Sequence, residues 1–212
     1  MTPDSPTPTP PRPEASSLSS NGIGAWRLWV PLLLQAALVV AVPAHHAYTY
    51  LTGQRIVLQT LPADPYDPLR GHYQTLSYEI SRPDRLQLLP GGKELFGQSR
   101  RNPRHFSFFL VLEAPIVKAV TAPMPWQPVR ISAKQPTDLA ANQIALKGEV
   151  RGQRIAYGIE RYYMPEERRD RVNNDIIQVQ NRGNNFVVEV RVDDRGNAVP
   201  VSLWVGDRNY RF

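Results

Sequence analysis

A chain of 212 residues carrying 25 Lys and Arg against 19 Asp and Glu, for a net charge of +6, has room for one sizeable folded domain. Cysteine is absent, which excludes disulfides, thiolate metal sites and a cysteine nucleophile. Residues 1–44 hold only Arg12 and Arg27 against Asp4 and Glu14, so the basic excess lies wholly in the C-terminal part. Its arginines are scattered among acids from Arg55 to Arg211, which argues against nucleic acid as a partner and suits apposition to anionic lipid headgroups.

The first 25 residues form a Pro- and Ser-rich tail with six prolines in its first thirteen positions and almost nothing apolar to bury, so it is expected to be disordered. Residues 26–51 follow as an expected transmembrane anchor. From Leu28 to Gln54 there is no Asp, Glu, Lys or Arg, and the stretch from Trp26 to Ala44 is apolar on every face, whereas a buried helix of a soluble domain carries a polar stripe. Its length reaches the ~20 residues needed to cross a hydrocarbon layer. Trp26 and Trp29 at one end, and Tyr48 and Tyr50 at the other, lie where aromatic side chains favour the two headgroup levels. Pro31 falls in the first turn, and Pro43 is placed to kink or end the helix. A cleaved signal sequence, cut after Val42-Pro43-Ala44, competes with this reading, but the preceding region is long for one and the apolar run continues past the cut. Arg27 and Arg12 favour the N-terminus inside, which puts residues 52–212 outside a bacterial plasma membrane.

Beyond the anchor, β-branched and aromatic runs recur at 54–61, 72–80, 105–113, 129–133, 143–151, 154–162, 186–192 and 198–205. The fold class expected is mainly β, an antiparallel barrel or sandwich, preceded by the one N-terminal transmembrane helix. Arg151-Gly152-Gln153-Arg154 and Asp193-Asp194-Arg195-Gly196 read as hairpin connections, and Pro90-Gly91-Gly92 as a turn. One stretch departs from strand periodicity. Residues 165–179 open with Pro165 and two acids and then space Val172, Ile176 and Val179 as on one helix face, predicting a single short amphipathic helix.

Asp64 and Asp67 each precede a proline, which favours extended backbone and leaves their carboxylates free to accept turn N–H groups; Arg70 is the expected ion partner. Gly71 lets the chain bend into a strand on which Leu76, Tyr78 and Ile80 share a face and are expected to be buried. The sequence Gly71-His72-Tyr73-Gln74-Thr75-Leu76-Ser77-Tyr78, with its Asp-Pro-x-Asp-Pro-Leu-Arg approach and preceding anchor, resembles the GDYXXLXY family of bacterial membrane-anchored proteins. Tyr157-Gly158-Ile159-Glu160-Arg161-Tyr162-Tyr163 is similar to a second characteristic stretch of that family, and the resemblance extends into the closing hairpin. It implies a membrane anchor and assigns no activity. His72 stands where the family has Asp, so that position reads as part of a structural device more than as a reactive acid.

No arrangement of residues forms an active site by sequence. His45, His46, His72 and His105 offer no chelating spacing, and no serine or lysine sits in a hydrolase motif. Glu160, set among Tyr157, Tyr162 and Tyr163, is the most suggestive acid, with pairing to Arg161 or Arg70 the blander reading. No cofactor or metal is expected, and a small-molecule ligand is left unspecified. The function expected is a membrane-anchored, non-enzymatic binding or accessory module whose partners are the bilayer and a larger membrane or envelope component. The alternative is an envelope hydrolase acting on a glycan or peptide, using Glu160, Asp64 or Asp67.

Overall fold

The computed structural model describes residues 26–61, 73–97, 105–116, 123–152, 154–181 and 186–211. Residues 1–25 and 62–72 lie outside them, and with these the expected disorder of the tail and the expected pairing of Arg70 with Asp64 or Asp67. The chain divides into two units, Met1–Val42 and Pro43–Phe212.

The first unit contributes the opening of helix α1 (Trp26–Thr52), whose apolar side chains are exposed, Leu33 at 62% and Val39 at 70% among them. Among the described residues no single helix is long and apolar enough to cross a membrane, and Trp29–Ala41 with Pro43–Thr52 meets the length and composition requirement only as a pair. A span by one helix alone is therefore not what the structure gives, and the division lies where Pro43 was expected to kink or end the helix. The break falls beside Pro43, which has no N–H to give the helical ladder.

In the second unit α1 runs into strand β1 (Gln54–Gln59) through one residue, Gly53. A four-stranded antiparallel sheet follows the order β1, β8 (Val187–Val192), β9 (Ala198–Val205) and β10 (Arg208–Tyr210). A second antiparallel sheet has the order β4 (Gln127–Ser132), β3 (Phe106–Glu113), β5 (Gln143–Arg151) and β6 (Arg154–Ala156). Strand β2 (Tyr73–Thr75) pairs with β7 (Arg161–Tyr163) as a separate ribbon. The barrel alternative is thereby corrected: β1 and β10 end one sheet and β4 and β6 the other, with no closing ladder among the described residues.

One core serves all three. Ile56, Leu58, Val188, Val190 and Leu203 meet Leu110, Leu112 and Leu146 in it, together with Leu76 and Tyr78. In β3, Leu110, Val111 and Leu112 are all fully buried, so both faces of the sheet are covered there, while β8 alternates buried Val188, Val190 and Val192 with partly exposed Glu189 and Arg191. Prolines within strands withdraw a donor from the ladder and are confined to edges and bulges. Pro128 and Pro200 both lie beside a register shift, the first on the edge strand β4 and the second opposite Val190.

Helix α4 (Glu166–Asn181) forms where expected, with Val172 and Ile176 buried and Val179 packed against the core. It is not the sole helix of this unit, since α2 (Pro83–Leu86) and α3 (Gly92–Gly97) precede β3. Both are too short to show a helical period, and each is held by one buried anchor, Leu86 and Phe96. The run 154–162, expected as one strand, is divided into β6 and β7 by a turn at Gly158, whose φ of 81° an L side chain adopts only with strain. Strand β10 was not expected, being three residues with a polar start.

Candidate functional site

The two stretches that carry the family resemblance meet in space. Tyr73, Gln74 and Thr75 pair in register with Tyr163, Tyr162 and Arg161, and the ladder is extended by the Leu76 N–H donating to the Glu160 carbonyl at 2.7 Å. Beyond this the motif strand crosses to β1 through a bridge between Tyr78 and Thr60, then turns into a 3-10 segment, Glu79–Ser81. Leu76 and Tyr78 are buried at 1% and 0% exposure and Ile80 at 6%, as the alternation predicted.

Three tyrosine hydroxyls in and beside this ribbon donate to backbone carbonyls. The Tyr78 hydroxyl donates to the Ile159 carbonyl at 2.8 Å, and the Tyr157 hydroxyl to the Ile80 carbonyl at 2.6 Å, so each tyrosine sews its own stretch to the other. The Tyr162 hydroxyl donates to the Tyr210 carbonyl at 2.9 Å, tying β7 to β10. One carboxylate oxygen of Glu160 accepts the Tyr157 N–H at 2.5 Å across the Gly158 turn. Burial, reinforced by the neighbouring Glu160, pushes the phenols of Tyr78 and Tyr157 well above their ordinary range. Both therefore stay protonated at neutral pH, as fixed donors rather than as exchangeable acids.

A second constellation lies at the foot of α1. Thr49 is buried at 1% exposure, and its hydroxyl donates to Asp193 Oδ2 at 2.7 Å; Asp193 is itself buried at 4%. Asp193 Oδ1 accepts the N–H groups of Arg195 at 3.0 Å and Asn197 at 2.8 Å, and the Asn197 side-chain amide reaches both oxygens. Burial alone would raise this carboxyl, but the Thr49 hydroxyl, Asn197 and the two backbone donors outweigh it and hold it below the usual carboxylate range. Gly53 completes the joint: its N–H donates to the Thr49 carbonyl at 2.9 Å, and a Cβ there would lie 2.5 Å from that same oxygen and 3.0 Å from Val192 backbone. Helix foot, first strand and the β8–β9 hairpin thus close on one another with no linker between them.

The GDYXXLXY protein family model matches residues 35–203, which takes in both the motif ribbon and the joint. The chain belongs to the GDYXXLXY family. No curated protein and no solved structure matches it.

Of the residues singled out in this GDYXXLXY protein, the structure brings Tyr73, Leu76, Tyr78, Glu160 and Tyr162 into one ribbon. Asp64, Asp67, Arg70, Gly71 and His72 lie outside the described residues. Among the described residues no three His, Asp or Glu side chains gather as a metal-binding group; the rings of His45 and His46 are exposed, with centroids 5.9 Å apart. The Thr49–Asp193 joint was missed by sequence reasoning. The loop residue Asp193 was read for its turn alone, although Asp side chains commonly accept N–H groups two residues on. Thr49, polar within an apolar helix, was the other signal.

Proposed function

We propose that this GDYXXLXY protein is a single-pass, membrane-anchored, non-enzymatic module whose β unit, residues 52–212, binds a larger membrane or envelope component outside a bacterial plasma membrane. The observation that carries the reading is the exposed apolar surface of α1: Trp29, Leu34, Leu38 and Val40 are each more than half exposed, in a segment without charge from Leu28 to Gln54. A patch of this kind is costly in water and ordinary in lipid. Its division beside Pro43 is compatible with crossing, because proline breaks are tolerated in spanning helices. Arg27 and Arg12 on the N-terminal side support the orientation.

A binding role is supported by how the family-signature side chains are employed. Tyr78, Tyr157 and Tyr162 all donate to backbone carbonyls, which suits a scaffold that presents a surface. Of the acids a hydrolase would draw on, Asp64 and Asp67 lie outside the described residues, and Glu160 has one of its two oxygens taken by the Tyr157 N–H. Affinity purification of the full-length protein from mild detergent, quantified by mass spectrometry, tests the role. A membrane or envelope protein recovered in fixed stoichiometry, and lost on alteration of the β-unit surface, is the expected result. Repeated isolation of the protein alone, even after in-cell crosslinking, overturns it.

A further inference from the structure

Three arginines from distant parts of the chain converge where α1 enters the β unit. Arg55 and Arg191 are direct partners across the β1–β8 ladder. Two like charges opposite each other on neighbouring strands repel, and such pairs are selected against unless something compensates. The Arg191 guanidinium also sits over the Tyr50 ring, 5.5 Å from its centroid, and donates to the Leu51 carbonyl at 2.9 Å. Arg211 donates to the Tyr50 hydroxyl at 2.6 Å. One acid is shared by the group: Glu189 lies 3.4 Å from Arg55 and acts electrostatically on Arg211 as well. Its side chain is only 15% exposed, against 57% for Arg55, so the outward face of the cluster is cationic.

Capping the last carbonyls of α1 accounts for Arg191. It does not account for Arg55 and Arg211, which are exposed and add positive charge beside it. The last turns of the same apolar helix also carry Leu51, 73% exposed, and Tyr48, 49% exposed. Guanidinium groups above an apolar, aromatic-bordered surface match one ligand chemistry in both halves: a phosphodiester for the arginines and acyl chains for the helix.

We propose that Arg55, Arg191 and Arg211 form a binding site for the headgroup of an anionic phospholipid, of the phosphatidylglycerol class, at the foot of α1. The site rests on the membrane-anchored reading and deepens it. A lipid phosphate between the strands offsets the Arg55–Arg191 repulsion, and the lipid so held fixes the tilt at which the β unit meets the membrane surface.

The full-length protein is placed in phosphatidylcholine nanodiscs containing a minor fraction of phosphatidylglycerol, released in mild detergent, and its retained lipids are counted by native mass spectrometry. Wild type is expected to retain phosphatidylglycerol about tenfold above its bulk fraction, since each cation near the surface favours anionic lipid severalfold. R55Q/R191Q/R211Q is expected to retain it at the bulk fraction. R55Q/R211Q, both exposed positions, is expected to lose most of the enrichment and decides the matter if the triple variant does not fold. Wild type that enters nanodiscs and shows no preference overturns the site while sparing the anchor. Wild type that enters no nanodisc overturns both.

Discussion

Replacing Asp193 by alanine removes the carboxylate on which the joint at the foot of α1 converges. Five hydrogen bonds end on this carboxylate, from the Thr49 hydroxyl, the Arg195 and Asn197 N–H groups and twice from the Asn197 amide. Their losses are unequal. Arg195 is exposed and Asn197 half-buried, so water replaces much of what their donors lose, whereas Thr49 is buried and its nearest alternative is the His45 carbonyl at 3.3 Å. Leaving one buried donor poorly paired and removing charge-assisted bonds costs about 2–3 kcal/mol in total. For a chain of this size that corresponds to a Tm lower by roughly 4–12 °C. The effect should also depend on pH. Because the folded carboxyl lies below its ordinary value, its contribution is complete above the unfolded pKa of about 3.9 and disappears as pH falls through the lower folded value. The gap between wild type and D193A should therefore be flat across neutral pH and close below about pH 4. Tryptophan fluorescence during urea unfolding of the full chain in detergent measures it. T49V should cost less, and the T49V/D193A double variant should fall short of the sum of the singles. A D193A variant within about 0.5 kcal/mol of wild type at neutral pH would refute the joint as drawn.

Further outcomes concern the ribbon and the linkerless entry to β1. Y78F keeps the buried ring but leaves the Ile159 carbonyl without its donor, and thermal unfolding should show a loss of about 1–2 kcal/mol. Y78A, which empties a fully buried position, should cost about 3–5 kcal/mol and put folding at risk. G53A forces a Cβ against backbone atoms of Thr49 and Val192, none of which is a flexible chain end, and should destabilise by about 1–3 kcal/mol in chemical denaturation. E160Q retains an oxygen able to accept the Tyr157 N–H, so it should preserve both stability and cellular function; loss of function with an intact fold would instead point to proton transfer at Glu160.

The strands were legible where one face is buried and the other is not. β8 and β9 were located from Val188, Val190 and Leu203, and α4 from Val172 and Ile176, because burial imposes a period of two or of about four on the residue choice. Legibility failed where tertiary contacts, rather than periodicity, decide the backbone. Nothing in 154–162 taken alone requires a break, yet Gly158 turns the chain there so that Glu160 can accept from Tyr157 and Ile159 can accept from Tyr78. Separate sheets in place of a barrel likewise depend on which edge strands meet, and alternation along a strand carries no record of its neighbour. Within the candidate site, burial of Leu76 and Tyr78 followed from alternation. The partners of their polar atoms lie about eighty residues downstream, beyond any local pattern.

The claim on which the rest turns is that the uncharged helix holds the β unit at a bilayer, and alkaline carbonate extraction of native membranes addresses it directly. High pH strips proteins attached through charges and leaves those embedded through apolar surface. The full-length chain should stay in the pellet and leave it only in detergent, and a version carrying Leu34→Lys and Val39→Lys should move to the supernatant with its β unit folded. Release of the unaltered chain into the carbonate supernatant would contradict the account.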